Sequence, residues 1–250
     1  MKPLKISFVI PAFNEAGNIG ACLSALLREL DGDPIPSEII VVNNASTDGT
    51  GKIAARFPGV IVVDEPTKGL VMARQAGFLR ATGDLVANLD ADTMLKPGWM
   101  QTVREEFGKD PELVCLSGPF IYHDLSLWER GVVRLFYIIA YMAYVVTRFI
   151  AGAGSMAQGG NFVVRRAALK KIGGFDVRID FYGEDTDIAR RLSKVGNVKF
   201  TFSLPIYSSG RRLTREGIVR TGLLYILNYL WVTFSGQPRT KTSTDVRIHL

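Results

Sequence analysis

"DLVANLDADTML", Asp84–Leu95, decides how the chain is read. Leu85 to Leu89 has the character of a short buried strand, and it ends on Asp90 and Asp92 with only Ala91 between them. Carboxylates one residue apart at the end of a buried strand need a compensating cation or a solvated turn. Upstream, "KISFVI" reads as a first strand closed by Pro11, and Ile19, Cys22, Leu23, Leu26, Leu27 and Leu30 follow at helical spacing. "EIIVV" is a second strand, stopped by the turn- and cap-rich "NNASTDGT". "GKIAARF" reads as a helix, "VIVVDE" as a strand and "LVMARQAGFLRATG" as a helix, so that Asp84 opens a fourth strand. Strands alternating with helices predict an α/β chain with a mostly parallel, Rossmann-like sheet flanked by helices. Such sheets bind ligands beyond the carboxyl ends of their strands. Pro11, Phe13, Asn14 and Glu15 follow the first strand, Asn43 and Asn44 the second, and Asp90 and Asp92 the fourth.

The 250 residues, 47% hydrophobic and 22% charged, are enough for one sizeable core and exclude a disordered or collagen-like chain. A net charge of +6 favours anionic partners such as nucleotide phosphates or an acidic membrane surface. No recognised nucleic-acid motif accompanies the charge, so no nucleic-acid partner is expected. Cys22 and Cys115, the only cysteines, sit in apolar contexts and read as buried thiols of a reducing compartment. "MKPLKISFVIPAF" carries no cleavage-site pattern and reads as a strand rather than a signal peptide.

Carboxylates at i and i+2 around a turn can offer hard oxygen ligands to Mg²⁺ or Mn²⁺. A divalent ion held there can stabilise a diphosphate leaving group. On these three residues alone, a solvated turn with capping aspartates is the simpler reading. The rest of the chain changes that balance. "IPAFNEAGNI", "VVNNASTDGT", "KGLVMARQAG", "ATGDLVANLDADT", "GGNFVVRRAALKKIGGFD" and "GEDTDIARRL" occur in this order. Together, over about residues 5 to 195, they resemble the inverting family 2 glycosyltransferases of the GT-A fold, including relatives of dolichyl-phosphate mannose synthase.

The resemblance implies a nucleotide-sugar donor and a divalent cation at Asp90, Ala91 and Asp92, the family's "DxD" site. Pro11, Phe13 and Glu15 match the family's first nucleotide-contacting loop, and Lys68 matches a cation near the nucleotide. Read bare, Pro11 is a strand stop, Glu15 faces a helix dipole, Lys68 is solvated and Asp48 is a turn or cap residue. Asn43 and Asn44 stand where the family commonly has aspartates; asparagine both donates and accepts, which leaves the base open. Many relatives also place a histidine after the acidic segment, where this chain reads "LPIYSSGRRL". His123 and His249 lie elsewhere and read as solvated. By resemblance to the family's "ED" motif, Asp185 is the general base and Glu184 orients or contacts the acceptor; read bare, both are first-turn acids of a helix. Arg211, Arg212 and Arg215 suit phosphates or lipid headgroups.

Two later segments, 131–152 and 217–234, are strongly apolar. Between Arg134 and Arg148 the uncharged stretch is shorter than the roughly 20 residues of a spanning helix. At helical spacing Arg134, Tyr137, Tyr141, Tyr144 and Arg148 form one stripe, and Phe136, Ile139, Ala143, Val146 and Ile150 form another. This predicts an interfacial helix with the aromatic-basic stripe toward headgroups. Gly222 and Asn228 interrupt the second segment and Pro238 closes it. The expected organisation is a catalytic unit over 1–210 with an inserted apolar helix at about 131–151, a basic turn and membrane-associating helix over 211–236, and a loose tail over 237–250. The expected location is the cytoplasmic face of the cell membrane, with a lipid-linked or cell-envelope glycan acceptor. A sugar nucleotidyltransferase is the enzymatic rival, but "PAFNEAG" replaces its glycine-rich, arginine-containing loop. A catalytically silent nucleotide-sugar-binding module is the other alternative.

Overall fold

A computed structural model describes residues 4–150, 155–179 and 183–235. The predicted tail over 237–250, with Pro238 and His249, lies outside the described residues, as do the side chains of Arg148 and Phe149. The first half runs β1 (Ile6–Ala12), α1 (Ile19–Leu30), β2 (Glu38–Asn44), α2 (Thr50–Ala54), β3 (Val60–Glu65), α3 (Leu70–Arg80) and β4 (Leu85–Leu89). Then come β5 (Thr93–Leu95), α4 (Trp99–Lys109), β6 (Leu113–Ser117), β7 (Phe120–Tyr122) and α5 (Leu127–Phe149). The rest comprises β8 (Asn161–Arg165), α6 (Arg166–Lys171), α7 (Glu184–Leu192), β9 (Asn197–Phe200), β10 (Ile206–Ser208), α8 (Arg211–Glu216) and α9 (Ile218–Ser235).

Seven strands form one sheet in the order β3-β2-β1-β4-β8-β6-β9, parallel except where β8 runs against β4 and β6. Alternation divides β1 between two cores: Ile6, Phe8 and Ile10 pack toward α1 and α4, and Val9 packs toward α3, α6 and α7. Burial on both faces explains why these strands read as near-continuous apolar runs. The strand order reverses between β1 and β4, which opens a crevice at their carboxyl ends. A three-stranded sheet, β5-β10-β7, lies beside it. Its register sets Ser208 opposite Thr93, and so carries the start of α8 to the Asp90–Asp92 turn.

Several local expectations change. Pro11 does not stop β1, which runs through it to Ala12. The β4 pairing ends at Val9, so Pro11 has a strand neighbour on one side only, an edge-like place where proline is tolerated. The helix read over "GKIAARF" closes at Ala54. Gly222 and Asn228 do not break α9, which is continuous.

The direction of α5 is the main correction. The tyrosine stripe faces the protein, not headgroups. The Tyr137 hydroxyl accepts from the Phe120 N–H at 3.0 Å and donates to Gln158 Oε1 at 2.9 Å, and its ring stacks on Phe200. Tyr141 packs on Phe200 and Phe202. A phenol supplies both apolar area and a polar handle, and the protein side offers partners for both. The outward face is therefore apolar, with Leu135, Ile138, Ile139, Met142 and Val146 exposed. Over Leu127–Thr147, α5 is long and apolar enough to cross a membrane by length and composition alone.

Candidate active site

Three loops at the sheet crevice are tied to one another before any ligand is considered. Asn14 adopts a left-handed backbone, φ 51°, which puts its Oδ1 2.9 Å from the Thr47 N–H, while its own N–H donates to Ser46 Oγ. Asp48 accepts from Thr50 N at 2.9 Å and from Ala16 N at 3.1 Å, the turn role its "STDGT" context suggests. Asn44 spends its amide on the carbonyls of Glu65 and Thr67 and accepts from Gly69 N at 2.8 Å, which holds the loop carrying Lys68. Lys68 is exposed, and its Nζ stands 3.9 Å from the centre of the Phe13 ring, a cation over an aromatic face. Asn43 is outside the cavity wall, and its Nδ2 donates to Asp64 Oδ1 at 2.7 Å.

The remaining site residues line one cavity of about 670 Å³, with Pro11, Phe13, Glu15, Asn44, Lys68, Asp90, Ala91 and Asp92 on one side. Glu184, Asp185, Arg211 and Arg212 line the same cavity. Arg211, the first residue of α8, donates to both Glu15 oxygens at 2.5 and 3.2 Å and reaches Asp92 Oδ2 at 3.1 Å. Burial pushes the Asp92 carboxyl up to about 7; the Arg211 guanidinium opposes this, and the negative charges of Asp90 and Glu15 add to it. Arg212 pairs with Glu216 at 2.9 Å. Arg215 is exposed and does not line the cavity.

Arg74, which sequence reasoning passed over, joins the two acidic sites. It is 1% exposed and donates to Glu184 Oε1 at 2.5 Å and to Asp90 Oδ1 at 3.2 Å. In the sequence it is one more arginine in an ordinary helix; only its burial and its two acidic partners set it apart. The opposite wall is the turn Gly159–Gly160. Gly160 has φ +80°, and a Cβ there would lie 2.1 Å from Asp90 Oδ2, so only glycine lets the chain pass this carboxylate. Gly159 N donates to Asp185 Oδ2 at 3.1 Å.

Asp185 and Glu184 sit in the first turn of α7, where the helix dipole favours acids. Burial raises the Asp185 carboxyl above its ordinary range, against the N–H groups of Gly159 and Thr186 and the charge of Arg74. Glu184 is raised by burial and held back by its ion pair with Arg74. A carboxylate whose proton affinity is raised, facing a cavity, suits proton abstraction near neutral pH.

The donor set also suits a hard cation. Among the described residues no group of three His, Cys, Asp or Glu side chains forms a metal cage. Asp90 and Asp92 nevertheless present carboxylate oxygens to the cavity, Asp90 beside Arg74 and Asp92 beside Arg211. Magnesium and similar ions commonly take one or two carboxylates and complete their shell with water and substrate phosphate. His123 is exposed, as expected of a solvated histidine.

Known proteins share this architecture. A mannosyltransferase from Pyrobaculum calidifontis, solved in complex with GDP-Man and Mn²⁺, superposes with a TM-score of 0.70 at 19% identity, covering 96% of this chain and 66% of its own. The glucosyl-3-phosphoglycerate synthase of Mycobacterium tuberculosis, solved with Mn²⁺ and UDP-glucose, gives 0.64 at 18% identity, covering 93% and 79%. At these identities the likeness speaks for the fold. In sequence, the probable glycosyltransferase YdaM of Bacillus subtilis is 30% identical over 224 residues, which is 78% of this chain and 48% of that protein. The poly-beta-1,6-N-acetyl-D-glucosamine synthase of Staphylococcus epidermidis is 28% identical over 192 residues, 75% of this chain and 45% of its own. The chain spans about half or less of the length of such curated relatives. The description of Glycosyl transferase family 2 matches residues 7–173, a span that holds the crevice loops, Arg74, the Asp90–Asp92 turn and the Gly159–Gly160 wall, and the chain belongs to that family.

Proposed function

We propose that the protein transfers a sugar from a nucleotide-sugar donor to an acceptor hydroxyl, with inversion at the anomeric carbon. The observation that carries this reading is the meeting of two acidic sites in one cavity, Asp90–Asp92 and Glu184–Asp185, joined through Arg74. The donor diphosphate lies by Asp90, Asp92 and Arg211, and Lys68 and Phe13 line the nucleotide side. Asp90 and Asp92 would hold a divalent cation, which, when bound, stabilises negative charge on the leaving diphosphate. Asp185 takes the proton from the acceptor hydroxyl as its oxygen attacks the anomeric carbon. The bond from that carbon to the diphosphate oxygen breaks on the opposite face, and the electron pair leaves with the nucleoside diphosphate. Arg211 donates to the departing phosphates from the position where it now bonds Glu15 and Asp92. Glu184, held by Arg74, keeps the start of α7 in place beside the reacting hydroxyl.

The protein works at the cytoplasmic face of the membrane, with α5 and α9 lying in the interface. Support comes from the exposed apolar faces of both helices and from the exposed arginines Arg134, Arg215 and Arg220. The acceptor is lipid-linked or an envelope glycan. A screen of nucleotide sugars that measures nucleoside diphosphate release with Mn²⁺ tests the reading. Release from at least one donor, stimulated by an acceptor extract from membranes, is expected. Binding without release from any donor would leave a silent binding module instead.

A further inference from the structure

The cavity does not end at the carboxylates. From Arg211 and Tyr122 it continues between α5 and α9, where Val133, Phe136, Ala140, Leu213, Ile218 and Ile226 line it. The helices approach closely at Gly222, where a Cβ would lie 2.8 Å from the Phe136 ring. One cavity thus has a charged end, with Glu15, Asp90, Asp92 and Asp185, and an end walled mainly by hydrocarbon and aromatic carbon. The Tyr137 hydroxyl at the junction is already committed to Phe120 and Gln158.

We propose that the end between α5 and α9 is a subsite for the hydrocarbon chain of the acceptor, which makes the acceptor a lipid-linked molecule rather than a free glycan. This rests on the glycosyl-transfer reading for the charged end only. A free glycan entering this end would exchange water for walls whose polar groups are few, chiefly the Asn228 amide and the Tyr225 and Tyr229 hydroxyls of α9. A hydrocarbon chain gains from the same walls. A chain leaving along these helices passes from apolar lining to apolar outer faces, where Ile139 and Met142 of α5 and Leu223, Leu227 and Trp231 of α9 are exposed. The exposed Arg134, Arg215 and Arg220 belong to or adjoin the same two helices, and their charge suits an anionic leaflet as the source of that chain. The geometry therefore seats the chain between the helices with its polar head, and the hydroxyl it carries, toward Asp185.

Methyl, octyl and decyl β-glucosides, titrated calorimetrically below their micelle-forming concentrations, test the subsite without knowledge of the natural acceptor. Burial of a methylene is worth about fourfold in affinity, so decyl should bind roughly 15-fold tighter than octyl, and methyl far more weakly than both. Ala140→Phe, or Ile226→Phe should that variant fold poorly, fills the space and should remove the gain with chain length. Either variant should keep wild-type binding of GDP or UDP with Mn²⁺, which reports an intact charged end. Leu79→Gln, an exposed apolar side chain on α3 that does not line the cavity, should leave alkyl glucoside binding unchanged. Equal binding of octyl and decyl would overturn the proposal, as would a chain-length gain that survives the filling variants or disappears in Leu79→Gln. If no guanosine, uridine, adenosine, cytidine or thymidine diphosphate binds the wild type while the chain-length gain persists, the glycosyl-transfer reading falls and the hydrocarbon subsite stands.

Discussion

Asp185 is held by the N–H groups of Gly159 and Thr186 yet still lines the cavity, so its position does not depend on its charge alone. Asp185→Asn should preserve the fold and nucleotide binding while transfer falls by roughly 10²–10⁴-fold, the usual worth of a general base. Steady-state turnover alongside nucleotide titration checks both halves. Arg211 calls for a different test, because it bonds Glu15 and Asp92 where a cation and a diphosphate are expected to meet. Arg211→Gln removes a donor to phosphate and frees two carboxylates. Nucleoside diphosphate should then bind about 10- to 100-fold more weakly, from loss of a charge-assisted hydrogen bond. Mn²⁺ alone, followed by its electron paramagnetic resonance signal, should bind more tightly than in the wild type. A loss of both affinities would remove Arg211 from this role. Asn43 and Asn44 also part company here: their backbones are adjacent, but Asn44 ties down the Lys68 loop and Asn43 is turned to Asp64.

Helices α5 and α9 show how an element takes its role from what it faces. Ser126 and Glu129 close a capping box that starts α5 firmly, and after that each face has its own partner. Tyr137 and Tyr141 pack on the body, while Ile139, Met142 and Val146 face outward. If that outer face enters a bilayer, apolar burial and attraction to acidic lipid act together. Purified protein should sediment with vesicles rich in phosphatidylserine and bind more weakly, but measurably, in high salt. Each exposed arginine contributes about 1 kcal/mol near an acidic leaflet, so replacing Arg134, Arg215 and Arg220 by Gln should mimic high salt. Ile139→Gln with Met142→Gln should weaken the salt-resistant part instead. Absence of vesicle binding by detergent-free protein would return both helices to a role within the protein or between copies of it.

Across the whole molecule, the sheet keeps chemistry and stability at opposite ends. The site lies at the carboxyl ends of β1 and β4, whereas Glu38, at the start of β2, ties together the entrances of three strands. It accepts from Ser7 Oγ of β1 at 2.5 Å and from Thr82 N, just before β4, at 2.9 Å, and pairs with Lys5 at 3.1 Å. Burial by itself would raise this carboxyl, but the bonds from Ser7, Thr82 and Lys5 outweigh it and bring the pKa down to about 2. A folded value below the unfolded 4.5 contributes stability that is complete above pH 4.5 and is lost as pH falls toward 2. The shift corresponds to about 3 kcal/mol. Denaturant unfolding should show that loss in the wild type and a flatter pH profile in Glu38→Gln, which should also be less stable at pH 7. The two profiles running parallel would show that Glu38 does not drive the acid response.

The order of apolar runs and turn residues was enough to read the parallel α/β sheet and the four strands that build the crevice, because burial on both faces leaves a local, continuous signature. Asp90, Asp92, Glu184 and Asp185 stood out through the resemblance; by spacing alone they read as a solvated turn and as the first-turn acids of a helix. Arg74 did not stand out, because an arginine in a helix carries no mark of being buried between Asp90 and Glu184, residues just after β4 and at the start of α7 that the fold alone brings to it. Arg211 likewise reaches Glu15 across 196 positions through the β5-β10 register. Helical spacing grouped the tyrosines of α5 on one stripe but could not say which side meets the protein, and Arg134 of that stripe is exposed while Phe136 of the other packs inward against Gly222. Periodicity is a property of one helix, whereas the inward face is chosen by its partners, here Phe200, Gln158 and the Phe120 amide.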